Sequence, residues 1–421
     1  MIRMLFSLLL VSFMFTQTGL AADGTELRTA FDHILKAELE GTSFPVVDIS
    51  LSHKDFVLHL DSGSLSFAEP VRIDGADVYF AAYFIGDGSF TIAPTEIHAR
   101  KQIENAFDEQ EYSGTIKKAL LVFSQPIYEQ LKAVRSQPQV KFKKRERGHF
   151  RNDWKQFNKK EDYYFVYETL RNIYEPSDEP FLFVNLQKNS IGGSEYYLYN
   201  PLDAEEIKVY KNKVTGPMFR EFVKTISSYS CLLDSTGRKC RVVSEPQVKT
   251  LHNDMHIDIS DLGIMTSQVT ISYEVLKPPA QMLWMSLHQD MIVDSIIDDN
   301  GKPVAFIRYE DSGNKSFALY LFLNQPGELG DTLNLTLFYH GQILEFSGRD
   351  IINQSGMDWY PTYIERDSAL SNIVYSVPHY DDMRFKSTGV RKSDTIEGHT
   401  ETSVWSVDTP EPYIYFDFIE R

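Results

Sequence analysis

The chain has 421 residues, which is enough for two or three domains, each with its own hydrophobic core. Hydrophobic residues make up 42% of it and charged residues 24%, a balance typical of folded protein in water. The 59 acidic against 42 basic residues give a formal net charge of −17, and the resulting field opposes non-specific binding of nucleic acid or anionic lipid.

The first predicted element is a targeting segment. Arg3 supplies a positive charge, Met4–Phe15 is an apolar run, and small residues follow up to Ala22. A helix needs roughly 20 apolar residues to cross a bilayer, so this run is too short to span one. The pattern predicts a signal peptide over residues 1–22, no stable membrane insertion, and a periplasmic or extracellular location.

Residues 23–136 are predicted to form a β-rich domain. An amphipathic helix over Glu26–Glu40 comes first, and Gly41 stands where its C-terminal cap is expected. From Val46 the hydrophobic period changes to two, and short segments such as Val78–Phe84 alternate with glycine-containing turns. A meander of antiparallel strands is the expected arrangement.

Residues 137–245 are predicted to be a basic connector followed by a mixed α and β region. The run Lys141–Lys160 mixes Lys and Arg with aromatic residues such as Trp154, a mixture that could bind nucleic acid or an anionic membrane. The favoured interpretation is a connector whose aromatics pack on the protein body while its lysines stay in water. Helices are predicted over Asp162–Tyr174 and over Pro217–Ser228.

The two cysteines, Cys231 and Cys240, lie in this second block. In an oxidising compartment they are predicted to form a disulfide, which would stabilise the fold by about 2–3 kcal/mol. The alternative is a pair of buried free thiols. A zinc site is not favoured, because the spacing between the two cysteines and the lack of a nearby His do not match the usual ligand pattern.

Residues 250–421 are predicted to be almost entirely strand. Hydrophobic residues alternate with polar ones along Val269–Val275, and Asn300-Gly301 is the signal of a tight hairpin. Long alternating strands joined by short polar turns indicate a large antiparallel sheet that buries one face. The whole chain is therefore predicted to be mainly β with a smaller α+β part.

A metal-like pattern occurs near the start of this third block. His252, Asp254, His256 and Asp258 lie two residues apart, so in a strand all four point to one face. Imidazole and carboxylate groups are good zinc ligands, and one interpretation is a divalent metal site. Parallel side chains on one strand rarely surround an ion, so a solvated polar face is favoured and no metal ligand is assigned.

Several segments from His256 onward carry a family resemblance. In chain order they read HIDISDLG, QVTISYEV, NLTLFYHGQI, SGMDWYPTY, IVYSVP, FKSTGV and PYIYFDFIER. Their order and spacing resemble the N-terminal β-saddle domain of the aminopeptidase N family of gluzincin zinc metallopeptidases. The resemblance covers residues 250–421 and implies a large antiparallel β-saddle or sandwich domain there.

The same resemblance implies candidate substrate contacts. In the family, the corresponding aromatic and proline-containing stretch lies beside the active-site cleft, and a Gln or Glu upstream helps to hold the substrate's free amino group. Gln354, Trp359 and Tyr360 are the matching candidates in this chain. For Trp359 and Tyr360, packing in the core or between domains is an equally open alternative.

The catalytic part of the family's pattern is missing from these 421 residues, which contain no H-E-x-x-H and no G-x-M-x-N. The resemblance therefore implies the non-catalytic N-terminal half of an exported aminopeptidase N-like protein. Any zinc would belong to a separate catalytic domain, so no cofactor is assigned to this chain. That domain or another protein is the expected partner, peptides are a further candidate ligand, and nucleic acid is not expected.

Two other functions stay open. One is a stand-alone secreted or periplasmic binding or scaffold protein derived from the saddle domain. The other is a hydrolase with an unrecognised site in the first 245 residues. If a saddle domain lacks its catalytic neighbour, an apolar patch is expected on it, at Tyr413–Ile419 or at Trp359-Tyr360-Pro361.

Overall fold

The structure is a computed structural model. It describes residues 23–142, 144–160, 164–175, 179–188, 194–203, 206–215, 220–229, 246–311, 314–347, 350–353, 358–363 and 368–421. Within these ranges the chain is mainly β with a few helices, which confirms the predicted fold class. No helix in the described ranges is long and apolar enough to cross a membrane.

The first half of the chain folds around a nine-stranded antiparallel sheet. The strands of this half are β1 (Thr42–His53), β2 (Phe56–Phe67), β3 (Val71–Ile73), β4 (Ala76–Val78), β5 (Ala81–Ile92), β6 (Tyr112–Phe123), β7 (Val140–Lys141), β8 (Leu182–Gln187), β9 (Ser194–Tyr199), β10 (Ile207–Thr215) and β11 (Arg220–Tyr229). Their order across the sheet is β11-β10-β9-β8-β6-β5-β2-β1-β7, and β3 with β4 forms a separate ribbon. Strands on both sides of the boundary predicted at residue 136 thus share one sheet.

Five α-helices accompany this sheet in the described ranges. They are α1 (Gly24–Leu35), α2 (Ile97–Phe107), α3 (Gln125–Leu131), α4 (Lys144–Lys160) and α5 (Tyr164–Tyr174), with a 3₁₀ helix over Lys132–Ser136. Helices α2 and α3 contribute to the core on one face of the sheet, and α1, α4 and α5 to the core on the other. The short helix predicted over Pro217–Ser228 is wrong for its described part, because Arg220–Ser228 pairs with β10 within strand β11.

The second half of the chain contains three further groups of strands. Its strands are β12 (Val248–Ile259), β13 (Ile264–Val275), β14 (Ala280–Ser286), β15 (Met291–Asp298), β16 (Ala305–Asp311), β17 (Asn314–Gly327), β18 (Thr332–Gln342), β19 (Leu344–Ser347), β20 (Asp350–Asn353), β21 (Thr362–Tyr363), β22 (Ala369–Pro378), β23 (Met383–Ser387), β24 (Val390–Glu397), β25 (Thr400–Glu411) and β26 (Phe416–Glu420). A seven-stranded sheet has the order β15-β18-β13-β12-β22-β25-β24, a four-stranded sheet has the order β16-β17-β14-β21, and two ribbons complete the half.

The seven-stranded sheet is antiparallel at every described pair except one. Strands β12 and β22 run parallel, with His252 opposite Leu370 and Asp258 opposite Ser376. The prediction of an antiparallel sheet is therefore right for most of the sheet and wrong at this pair. A parallel pair needs a long crossover connection, and here more than a hundred residues separate the two strands.

The four-stranded sheet lies between the seven-stranded sheet and helices α1, α4 and α5 of the first half. Leu283 and Leu321 face the seven-stranded sheet in one core, whereas Met282 and Tyr320, which alternate with them, belong to the core that contains α1, α4 and α5. The Tyr167 hydroxyl of α5 donates a hydrogen bond to the Met282 carbonyl at 3.1 Å. The layers therefore follow one another as α2 and α3, the nine-stranded sheet, the remaining helices, the four-stranded sheet and the seven-stranded sheet.

Candidate functional site

The aromatic residues predicted from the family resemblance lie in the core. Trp359 is completely buried, and its Nε1 donates a hydrogen bond to the Ile414 carbonyl at 2.8 Å. Tyr360 is buried as well and lines a cavity of only about 20 Å³. These positions support the packing alternative, while a contact with substrate stays a prediction. Gln354 and the pair Cys231 and Cys240 lie outside the described residues.

Four polar residues share one face of strand β12. His252, Asp254, His256 and Asp258 all point away from the core side of the strand. His252 Nε2 lies 3.1 Å from Asp254 Oδ1, and the Asn372 amide contacts both groups. In the part of the chain that the structure describes, no group of three or more His, Cys, Asp or Glu side chains could hold a metal ion.

The expected apolar patch on the last strand is small. Tyr415 is 48% exposed and Ile419 is 39% exposed, whereas Phe416 and Phe418 between them are buried. The Trp359-Tyr360-Pro361 stretch is buried throughout. The exposed apolar surface at this place consists of Tyr415, the half-exposed Tyr413 beside it and Ile419, which is ordinary for protein in water.

A cationic cleft beside helix α4 is the candidate site. Its volume is about 370 Å³, within the range of small-molecule sites in proteins, roughly 300–1,000 Å³. Helix α4 forms one wall, and strands β5 and β6 form the other. The cleft is lined by Ile85, Gly86, Asp87, Lys117, Lys118, Arg145, Glu146 and His149.

Aromatic side chains hold α4 against the sheet. Phe150 and Trp154 are buried and stack on each other with ring centroids 5.7 Å apart. Phe150 also packs edge-on against Tyr83 of β5, and Trp154 Nε1 donates to the Ile34 carbonyl of α1 at 2.9 Å. On the same helix Lys144 and Lys155 are exposed. The predicted docking of aromatics with solvated lysines is confirmed for these residues.

His149 lies between two cations at the centre of the cleft. Its Nδ1 is 3.5 Å from Lys118 Nζ, and its Nε2 is 3.1 Å from Arg145 Nε. Arg145 and His149 are one helical turn apart on α4, and Lys118 reaches them from β6. Burial lowers the pKa of the His149 imidazole, and the charges of Lys118 and Arg145 lower it further, so the neutral form is favoured.

A half-buried carboxyl group, that of Asp153, is on the same helix one turn from this imidazole. The Tyr83 hydroxyl donates to Asp153 Oδ2 at 2.6 Å, and the Gln187 amide also bonds this carboxylate. Burial raises the pKa of Asp153, although these two hydrogen bonds and the charge of Lys118 oppose the rise. Three neighbouring strands supply Tyr83, Lys118 and Gln187. Together with His149 and Asp153 of α4, these side chains form one polar strip between the sheet and the helix.

An unpaired amide lies beside that strip. Asn185 is completely buried on β8, two residues from Gln187 on the same face, opposite Leu120 of β6 and Tyr196 of β9. Neither the oxygen nor the nitrogen of its side chain has a hydrogen-bond partner among the described residues. Buried amides are nearly always hydrogen-bonded, so a water or a ligand atom is expected there.

The positive charge of the cleft is only partly compensated. Lys117 pairs with Asp87 at the rim. In the described ranges no carboxylate oxygen lies within 4 Å of the Lys118 ammonium or the Arg145 guanidinium, and Glu146 accepts a hydrogen bond from Ser43 Oγ at 3.4 Å. The lining thus holds three cationic side chains against the two carboxylates of Asp87 and Glu146. On a chain of net charge −17, this small positive excess is suited to an anion.

The sequence pattern indicates only the part of this site that lies on α4. The basic run Lys141–Lys160 contains Arg145 and His149, and their spacing of four residues is the available signal that they share a helix face. Lys118, Tyr83 and Gln187 carry no such signal, because each is one residue in an otherwise ordinary strand. Only the packing of α4 on the sheet brings them to the same place.

Comparisons with known proteins give a distant structural likeness. No protein-family model and no curated protein matches the chain. The crystal structure of an M1 zinc metallopeptidase from Deinococcus radiodurans matches with 16% identity and a TM-score of 0.33, and the match covers 40% of this chain and 42% of that one. A two-domain M1 zinc metallopeptidase variant bound to L-tryptophan matches with 18% identity and a TM-score of 0.32, over 40% of this chain and 43% of that one. The chain therefore spans less than half the length of these structures, and a likeness this distant does not establish a shared activity.

Proposed function

We propose that this chain is a non-catalytic binding and scaffold module of an exported aminopeptidase N-like protein. The observation that carries the binding role is the cleft beside α4, which offers cationic donors around a neutral imidazole. The scaffold role is supported by the seven-stranded and four-stranded sheets, into which most of the segments that resemble the saddle domain fold. Export is supported by the apolar run Met4–Phe15 behind Arg3.

Hydrolysis of peptides in this family needs a zinc ion and a general base at the same carbonyl. The sequence contains no H-E-x-x-H. His252 and His256 have the same spacing, but Asn253 stands where that motif has Glu, and both lie on strand β12. In this proposal any hydrolysis depends on a catalytic domain that supplies those groups. The partner would be that domain or another protein, and peptides would be bound without being cleaved by this chain.

A stand-alone secreted or periplasmic binding protein is the second candidate. The observation that favours it is the position of the cleft, because Lys118, Arg145 and His149 all lie before residue 250, outside the segments that resemble the aminopeptidase family. A binding protein of this kind would need no catalytic partner. The two candidates share the same cleft and differ in what else the molecule contacts.

An aminopeptidase assay tests the non-catalytic role. Purified protein is incubated with aminoacyl-p-nitroanilides of Leu, Ala and Arg, with and without added zinc, and with an active zinc aminopeptidase as positive control. We expect no release of p-nitroaniline above the buffer rate. Zinc-dependent release that a chelator abolishes would contradict the proposal.

Thermal-shift measurements separate the two candidates. Tripeptides with a free amino terminus are compared with the same peptides acetylated at that terminus and with small inorganic anions. Both candidates share the cationic cleft, so small anions are expected to stabilise the protein in either case. Additional stabilisation by the free peptides and not by the acetylated ones supports the aminopeptidase-like module. Stabilisation by small anions alone supports the stand-alone binding protein.

A further inference from the structure

We propose that the cleft beside α4 binds a small oxyanion between Lys118 and Arg145, and that His149 takes up a proton when this ligand binds. The inference rests on the binding role proposed above and specifies its ligand class. Inorganic phosphate, sulfate and the carboxylate of a small organic acid share the required chemistry. Each presents several acceptor oxygens and negative charge to donors that are close together.

The first argument is the count of donors and acceptors around His149. Lys118 and Arg145 are donors only, and each has a side-chain nitrogen within 3.5 Å of a ring nitrogen of His149. A neutral imidazole has one donor and one acceptor nitrogen, so it can accept from only one of these two cations. The other cation faces an N–H group, and an oxyanion placed among them would accept from both.

The second argument is charge. Two cationic groups that approach one imidazole repel each other, and water screens this repulsion less in a cleft than on an open surface. Lys117 is already paired with Asp87, whereas the described residues place no carboxylate within ion-pair distance of Lys118 or Arg145. An oxyanion would reduce the repulsion and complete the hydrogen bonds in one step. The guanidinium fork of Arg145 suits a carboxylate or phosphate in particular.

The third argument concerns the proton. Burial lowers the pKa of the His149 imidazole, and the charges of Lys118 from β6 and Arg145 lower it further. The charges of Asp153 and Glu146 on the same helix only partly oppose this. A bound anion adds negative charge beside the ring, so it raises that pKa relative to the free protein. By linkage, the affinity for the anion must then increase as the pH falls through the region where the bound form is protonated.

The size of the cleft limits the ligand. A volume of about 370 Å³ accommodates an oxyanion with a small organic group, not a polymer. The net charge of −17 repels polyanions at longer range, which is a further reason to expect a small ligand.

Nuclear magnetic resonance of the histidine ring tests the inference. The sequence has 11 histidines, and the His149 signal is assigned as the one missing from the His149→Gln spectrum. The pKa of that signal is measured in sodium sulfate and in sodium chloride of equal ionic strength, because sulfate stays a dianion throughout the range and adds no titration of its own. We expect sulfate to raise the pKa of His149, and calorimetry in buffers of different ionisation enthalpy to show proton uptake on binding.

Variants locate the binding. Lys118→Gln and Arg145→Gln are each expected to weaken sulfate binding about tenfold, the loss of one charge-assisted contact of about 1.4 kcal/mol. Lys101→Gln is the matched control, since Lys101 is exposed on α2, which covers the opposite face of the sheet. Circular dichroism melting curves verify that each variant is folded. Titrations with phosphate and with acetate identify which oxyanion is preferred.

Each outcome decides one part of the inference. If sulfate, phosphate and acetate all fail to show saturable binding, the proposed ligand class is wrong. If Lys101→Gln weakens sulfate binding as much as Arg145→Gln does, the proposed site is wrong. Binding without proton uptake overturns the role of His149 alone. None of these results bears on the aminopeptidase assay, so the non-catalytic role can fail or survive independently.

Discussion

At the scale of single residues, Glu168 of α5 is a carboxyl group whose ionisation the fold strongly affects. It is buried, accepts a hydrogen bond from the Asn200 amide at 2.8 Å and lies 3.9 Å from Arg171. Burial raises the pKa of this carboxyl from 4.5 to about 7, because the loss of hydration outweighs the attraction of Arg171. The network continues through Arg171 to Glu175, which accepts from Gln247 at 3.0 Å.

The raised pKa of Glu168 predicts a particular dependence of stability on pH. Because the folded protein holds this proton more tightly than the unfolded chain, the contribution of Glu168 is greatest below pH 4.5 and is lost as the pH rises to about 7. The loss is of the order of 1–3 kcal/mol. In Glu168→Gln this part of the pH dependence should disappear, as measured by urea unfolding between pH 5 and pH 8. Glu109→Gln, at an exposed position, should keep the slope of the parent protein; equal slopes in parent and Glu168→Gln would contradict the prediction.

Residue-scale chemistry was only partly predictable from the sequence. Trp359 and Tyr360 could be singled out by their motif. The sequence alone does not distinguish an aromatic residue that packs in a core from one that contacts a ligand. Their burial depends on β26 and on the Ile414 carbonyl, more than fifty residues away. The burial of Glu168 could not be predicted from the sequence, because a Glu in an amphipathic helix is normally solvated and only tertiary packing buries this one.

At the scale of elements, pattern predicted strands better than helices. The alternation along Val269–Val275 corresponds to β13, in which Val269, Ile271 and Tyr273 are buried. Apolar residues in Pro217–Ser228 fit a helix, but the described part of this stretch, Arg220–Ser228, pairs with β10 as a strand, as tertiary context often overrides local preference. The parallel pairing of β12 with β22 could not be predicted from the sequence pattern, because the hydrophobic alternation is the same in parallel and antiparallel strands.

Two glycines in helices give a matched test of helix packing. A Cβ added to Gly24, at the start of α1, would lie 2.2 Å from the Phe322 carbonyl oxygen of β17, whereas one added to Gly148 of α4 meets nothing within 4 Å. Gly24→Ala should therefore lower the free energy of unfolding by about 1–3 kcal/mol, since the backbone must move. Gly148→Ala should raise it by about 0.5–1 kcal/mol, because alanine favours a helix. Urea unfolding at one pH measures both, and a stabilised Gly24→Ala would show that α1 does not pack this closely on β17.

At the scale of the whole molecule, α1 and α5 join the two halves of the chain. Phe31 of α1 is completely buried, with its ring centroid 5.8 Å from that of Phe322 and 6.0 Å from that of Tyr320 on the four-stranded sheet. Tyr167 of α5 stacks on Tyr320 at 4.8 Å. These contacts belong to the core that also includes Trp154 of α4, so the cationic cleft and the second half of the chain rest on the same packed layer.

This shared layer predicts that the two halves unfold together. Hydrogen exchange followed by mass spectrometry should show peptides from β5 and from β13 losing protection over the same range of urea, because neither half can expose the layer without disturbing the other. Phe31→Ala should lower the free energy of unfolding by about 3–5 kcal/mol and shift both sets of peptides equally. Phe317→Ala is the control, since Phe317 lies on β17 but is 41% exposed, and its effect should be smaller. The prediction is wrong if the β5 and β13 peptides lose protection in two separate transitions and Phe31→Ala shifts only the β5 transition. The two halves would then unfold independently, and the cleft would not depend on the second half for its stability.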